Sequence, residues 1–306
     1  MAGYKLGRRA WLAATAGTLL SVAAGAAAEP RHAVLRSPHF ELRDITLPGD
    51  KRVGTRMVLL LPKHTQKRVP LLVLLHGLGE TGGQRMGAYA WVERYGLGSS
   101  YERLLAPPVQ PLYSRAKHWK KEQLAQVNKQ LAEHPFGGMA IACPYTPNVY
   151  KAARRGQLLD RYARWIVEEV VPRARREAHV YQDATHTYLD GCSLGGYVGI
   201  EVFLRAPEHF CAWGSVQGAL GKHRIAAYAR RLQEVVSKHG NRFIHLETST
   251  ADPFRDINRR LAADLKKRGV AHDFITLRGP HNQPFLRDSG TLQMLLWHDG
   301  LRRRHD

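Results

Sequence analysis

The chain has 306 residues, 44% of them hydrophobic and 24% charged. This balance suits one large globular domain with a buried core and excludes a disordered or fibrous chain. The formal net charge is +20, but the basic residues are spread along the chain with no basic, aromatic-interleaved helix. No nucleic-acid partner is therefore expected, and the basic surface reads as solvated, with attraction to an anionic envelope surface as its functional reading.

The first segment departs from the rest. Lys5, Arg8 and Arg9 precede an apolar, Ala- and Gly-rich stretch from Ala10 to about Ala24, and Ala26-Ala27-Ala28 supplies small residues before Glu29-Pro30. This three-part pattern predicts an export signal over residues 1–28, cut after Ala28, and a mature domain over 29–306. The protein is then periplasmic or secreted. Gly7-Arg8-Arg9-Ala10-Trp11-Leu12 resembles a twin-arginine signal. Gly7 stands where Ser or Thr is usual, and Trp11 where Phe is frequent. The competing reading is an uncut N-terminal anchor.

Short apolar runs follow in chain order. Arg56 to Leu61 predicts a strand ended by Pro62, and Leu71 to Leu75 a fully buried one. Further strands are expected at Met139 to Cys143, Thr187 to Leu189, Ala212 to Val216, Phe243 to Leu246 and His272 to Leu277. Helical spacing marks Leu158 to Ala178, Ser193 to Leu204, Asp256 to Arg268 and Gly290 to Arg302. Alternating strands and helices predict an α/β fold with a mostly parallel sheet covered on both faces. About sixty residues from Gly77 to Gly138 exceed a minimal connection. The part between Gly79 and Gly138 reads as an insertion or lid, and its polar Lys120 to Ala132 stretch as a surface helix.

The cysteines, Cys143, Cys192 and Cys211, each sit in or beside an apolar run and read as small core hydrophobes. No H-E-x-x-H, C-x-x-C or dinucleotide-binding glycine pattern occurs, so neither a metal nor a cofactor is expected.

The strongest motif is Gly191-Cys192-Ser193-Leu194-Gly195-Gly196, a G-x-S-x-G between a predicted strand and a predicted helix. Its glycines permit a sharp turn that lifts the Ser193 hydroxyl clear of the backbone. The bland alternative is a helix-capping serine. A serine needs a base, and the base needs an orienting acid, in the chain order Ser, acid, His. His281 follows the last predicted strand, where sites in open α/β sheets collect; His272 and His298 are less well placed. Asp252 follows the Phe243 strand. Asp before Pro is also a good helix N-cap, a second use for the same carboxylate, and Asp256 and Glu247 compete with it. The oxyanion is expected to meet the backbone N–H of Leu194 and that of Leu78, in His76-Gly77-Leu78-Gly79. The His76 side chain reads as structural.

These segments, with Asp252-Pro253-Phe254 and Gly279-Pro280-His281, resemble the esterase D branch of the α/β-hydrolases from about Leu59 to Leu296. That group includes feruloyl esterases and mycolyl-transferring enzymes. The resemblance implies an α/β-hydrolase fold and a Ser193–Asp252–His281 triad. Family loops near the histidine often read Gly-Gly-His-Asp; here Asn282 replaces the acid. The expected activity is hydrolysis of carboxylic esters through an acyl-enzyme on Ser193. The alternatives are acyl transfer by the same residues, or a non-catalytic envelope-binding protein on a hydrolase scaffold.

Overall fold

The computed structural model describes residues 36–63, 65–114, 117–240 and 242–303. The expected export signal and its cleavage point lie outside them. Among the described residues, eight strands form one sheet: β1 (Phe40–Asp50), β2 (Gly54–Pro62), β3 (Leu71–Leu75), β4 (Ala140–Pro144), β5 (Thr187–Gly191), β6 (Ala212–Val216), β7 (Phe243–Ala251) and β8 (Asp273–Pro280). Their order is β1-β2-β4-β3-β5-β6-β7-β8. The β1–β2 and β2–β4 pairs are antiparallel, and every later pair is parallel.

All the predicted strands are present. β7 and β8 run farther than apolar content suggests, to Ala251 and Pro280, because ladder bonds to a neighbour continue through polar residues. β1 is an addition that the sequence reading missed. It carries Glu41, Arg43 and Asp44, and charge along an outer strand discourages pairing with other chains.

Among the described residues, eleven α-helices lie in the connections: α1 (Gln84–Ala88), α2 (Ala90–Glu93), α3 (Leu97–Leu105), α4 (Lys121–Glu133), α5 (Arg155–Trp165), α6 (Val171–Glu177), α7 (Leu194–Phe203), α8 (Ile225–His239), α9 (Arg255–Lys267), α10 (Gln283–Phe285) and α11 (Thr291–Arg302). Strand side chains alternate between two cores. On one face Leu71, Val73 and Leu75 pack with Tyr162, Val198, Leu232 and Leu261 from α5, α7, α8 and α9. On the other, Leu72 and Leu74 pack with Trp91, Tyr101, Trp119, Leu292 and Leu295. Cys143, Cys192 and Cys211 are all buried.

The segment from Gly79 to Gly138 carries α1 to α4. Its Trp91, Tyr101, Leu104 and Trp119 are buried in the second core, whereas α4 buries only Val127 and Leu131. The segment is pinned to the turn before α11 by Asp288. That carboxylate accepts the Leu112 N–H at 2.8 Å and the Trp119 indole N–H at 3.0 Å, and pairs with His118 Nδ1 at 3.2 Å. Burial opposes ionisation of Asp288, but these donors and the charge of Arg103 outweigh it and hold the group below its ordinary value.

A second buried histidine makes stability depend on acid. His245 on β7 is stacked on Trp297, with ring centroids 4.6 Å apart, and its Nδ1 has no hydrogen-bond partner among the described residues. Burial lowers its pKa from 6.5 to about 4. The unfolded chain then takes up a proton that the folded one refuses, so the contribution of His245 to stability falls as pH drops from 6.5 toward 4, against the opposite trend of Asp190, whose pKa burial raises to about 7. The full effect is at most about 3 kcal/mol. His245→Gln is expected to take this loss out of the pH dependence, so that the urea-unfolding free energy falls less, or rises more, as pH drops over that window; an unchanged slope would remove His245 as a cause.

Candidate active site

The turn that ends β5 is built by steric necessity. A Cβ at Gly195 would lie 2.0 Å from the Leu75 carbonyl oxygen, and one at Gly191 would lie 2.5 Å from the Gly195 carbonyl carbon. Only glycine lets α7 come this close to β3 and β5. Between them Ser193 takes φ 54° and ψ −114°, a region that a side chain disfavours. Its backbone is held on both sides: Ser193 N–H donates to Val216 O at 2.9 Å, and Ser193 O accepts from Ala219 N–H at 2.9 Å. Leu194 opens α7, where its N–H has no intrahelical acceptor.

Ser193 and His281 line the same cavity of about 300 Å³, together with Leu78, Gln217 and Asn282. His281 arrives at the end of β8. Its Nδ1 lies 2.9 Å from Asp252 Oδ1, which leaves Nε2 without that partner. Its side chain is 26% exposed, whereas the Asp252 side chain is fully buried. Asp252 Oδ1 also accepts the Phe254 N–H at 3.0 Å, and Oδ2 accepts the Thr248 hydroxyl at 2.6 Å. The carboxylate serves all three donors at once, because two oxygens offer about four acceptor positions. The N-cap reading of Asp252 is not met: its turn closes on the Phe254 N–H two residues on, and Phe254, not Asp252, is the N-cap of α9. Asp256 is instead exposed beside Arg259 at 3.3 Å. Glu247 is buried, with neither oxygen partnered among the described residues, and burial pushes it well above its ordinary value.

His76 is structural. Its Nε2 accepts the Thr146 N–H at 2.8 Å, so Nδ1 carries the proton and donates to Gly77 O at 2.8 Å. Burial drops its pKa to about 4, against the opposing pull of that carbonyl. The ring thus ties the β4 loop to the segment that presents Leu78. Asn282 caps α10 by accepting the Phe285 N–H at 3.0 Å.

The sequence reading gave no role at the cavity to Gln217, Glu80 or Tyr95. Gln217, just past β6, has φ 51° and donates from Nε2 to Ser249 Oγ at 2.7 Å and Pro280 O at 3.0 Å. It braces the backbone directly before His281. Glu80 and Tyr95 also line the cavity. No local pattern marks Gln217 or Tyr95; an acid one step past His76-Gly77-Leu78-Gly79 was the available signal for Glu80. Among the described residues, no group of three or more His, Cys, Asp or Glu could hold a metal ion.

No protein-family model matches this sequence, and no curated protein matches it. Solved structures do. A ferulic acid esterase superposes with a TM-score of 0.60 at 16% identity, over 86% of this chain and 99% of that one. The S-formylglutathione hydrolase of Staphylococcus aureus gives 0.57 at 14% identity, over 86% and 98%. A ferulic acid esterase from Anaeromyces mucronatus, solved with ferulic acid, gives 0.54 at 12% identity, over 90% and 97%. Together with the sheet order, these likenesses define the chain as an α/β-hydrolase fold.

Proposed function

We propose that this chain is a serine carboxylester hydrolase. The observation that carries the proposal is one cavity lined by both Ser193, on its strained turn, and a His281 tied to the buried Asp252. Ser193 Oγ attacks the ester carbonyl carbon while His281 Nε2 takes its proton. Asp252 keeps the Nδ1 proton in place and stabilises the imidazolium that forms. The Leu78 and Leu194 N–H groups receive the developing oxyanion. His281 returns the proton to the departing alkoxide, leaving an acyl-Ser193. Water, deprotonated by His281, then attacks that acyl group and frees the acid and Ser193. Solved neighbours of this fold that act on esters, such as the enterobactin esterase of Shigella flexneri, support the reading.

The same proposal places the protein outside the cytoplasm, cut after Ala28. One preparation tests both parts, by intact mass, peptide mapping and turnover. Protein recovered from the cell envelope of an expressing bacterium is treated with a fluorophosphonate and with p-nitrophenyl acetate. A chain beginning at Glu29, one phosphonyl group on the Ser193 peptide and release of p-nitrophenol are expected. A folded chain that takes no adduct and releases no p-nitrophenol defeats the esterase reading; an uncut chain defeats only the export reading.

A further inference from the structure

Beneath the Gly77–Leu78 segment lies a group of side chains that the proposed chemistry does not use. Glu80 is 3% exposed and Tyr95 is 3% exposed, yet both reach the cavity. The Tyr95 hydroxyl donates to Glu80 Oε2 and accepts the Gly77 N–H at 3.3 Å. Gln283, two residues past His281, donates from Nε2 to Glu80 Oε1 at 3.2 Å. Arg94 Nη1 stands 3.9 Å from the same oxygen. Gly77 rests directly on this group, for a Cβ there would lie 3.0 Å from the Tyr95 oxygen and 3.7 Å from Glu80 Oε2.

We infer that Glu80 and Tyr95 are positioning residues that set the oxyanion segment and the His281 loop at a fixed distance from each other. The inference rests on the ester-hydrolase reading. A carboxylate suits the task because it accepts from several donors at once: the phenol, the Gln283 amide and, at longer range, the Arg94 guanidinium. Arg94 offsets a negative charge that would otherwise face an oxyanion. With the Gly77 N–H bound to Tyr95, the next amide, that of Leu78, is the one left for substrate. Neither Glu80 nor Tyr95 needs to touch substrate. Their effect comes through the placement of the Leu78 N–H, and a misplacement of about 1 Å at such a donor can lower a rate by about a hundredfold.

The test compares p-nitrophenyl acetate with its thiono analogue, in which C=S replaces C=O. Sulfur accepts hydrogen bonds weakly, so the thiono ester gains less from a preplaced N–H donor. Tyr95→Phe removes one hydroxyl, Glu80→Ala removes the carboxylate, and Glu80→Gln keeps an acceptor oxygen. For Tyr95→Phe and Glu80→Ala, kcat on the oxo ester is expected to fall by about tenfold to a hundredfold. The thiono ester should fall far less, KM should change little, and Glu80→Gln should recover part of the loss. Equal loss on both esters would mean that the pair only maintains folded protein, and no loss in Tyr95→Phe would mean that the hydroxyl holds nothing in place. Either result overturns the inference while leaving a wild-type esterase standing. Wild type inactive on the oxo ester would instead remove the ester-hydrolase reading and the inference with it.

Discussion

Replacing Ser193 with Ala is expected to lower kcat on an activated ester by about 10⁶-fold, and His281→Ala by nearly as much. The two act as one unit, so the double variant should be no slower than either single. A residual rate of about 10³- to 10⁴-fold over water should survive, because the Leu78 and Leu194 N–H groups still meet the oxyanion. Stability offers an independent reading of the same position. Ser193 sits at φ 54° and ψ −114°, a conformation that costs about 1–3 kcal/mol for a residue with a Cβ. Ala retains that Cβ, so Ser193→Ala should unfold at nearly the wild-type urea concentration. Ser193→Gly removes the clash, though its looser unfolded chain returns up to about 1 kcal/mol. It should be inactive yet more stable by about 1 kcal/mol. Additive losses in the Ser193/His281 double variant would show that the two do not share one step. A less stable Ser193→Gly would show that the turn stores no strain.

The parts of this site that can be read from sequence are those fixed by local sterics. The Gly191-to-Gly196 turn is legible because each glycine answers a contact made within the strand–turn–helix unit or with the strand beside it. His281 and Asp252 are legible because strand ends are where loops meet at one rim of a parallel sheet. What stays hidden depends on partners distant in the chain. Glu80 meets Gln283 across 203 positions, and Gln217 reaches Ser249 and Pro280 only because β6, β7 and β8 lie side by side. β1 escapes a pattern search because its outward residues are charged and its ladder to β2, not an apolar run, makes it a strand. The helices α1 and α2 are too short, at 5 and 4 residues, to show a helical period.

Burial also separates the proposed acid–base pair from a look-alike. His298 Nε2 lies 2.9 Å from Asp190 Oδ2, the same separation as between His281 and Asp252. Both members of that pair are fully buried. Burial lowers His298 to about 3 and raises Asp190 to about 7, so the pair is held neutral inside the core. A base that must exchange protons with substrate needs an open side, which His281 has and His298 lacks. Distance alone would have nominated both.

Asp252→Ala is expected to lower kcat/KM by about 10⁴-fold, whereas Asp252→Asn should lose less. A carboxylate-to-amide change can be as damaging as removal when the new NH₂ group faces the histidine, because it forces the proton onto the wrong ring nitrogen. Here the Phe254 N–H decides the orientation. It points at Asp252 Oδ1 from 3.0 Å, and an NH₂ group in that place would leave two donors facing each other. The amide oxygen should therefore take the Oδ1 position and continue to accept from His281 Nδ1. The NH₂ group then falls opposite Thr248, whose hydroxyl can rotate from donor to acceptor. The tautomer survives, and only the negative charge that stabilises the imidazolium is lost. Thr248→Val added to Asp252→Asn strands that NH₂ group, and the double variant should fall back toward the Asp252→Ala rate. Measured kcat/KM values for the three variants decide the matter. Equal losses in Asp252→Asn and Asp252→Ala would mean that the Phe254 N–H does not hold the amide, and that charge and orientation cannot be separated at this position.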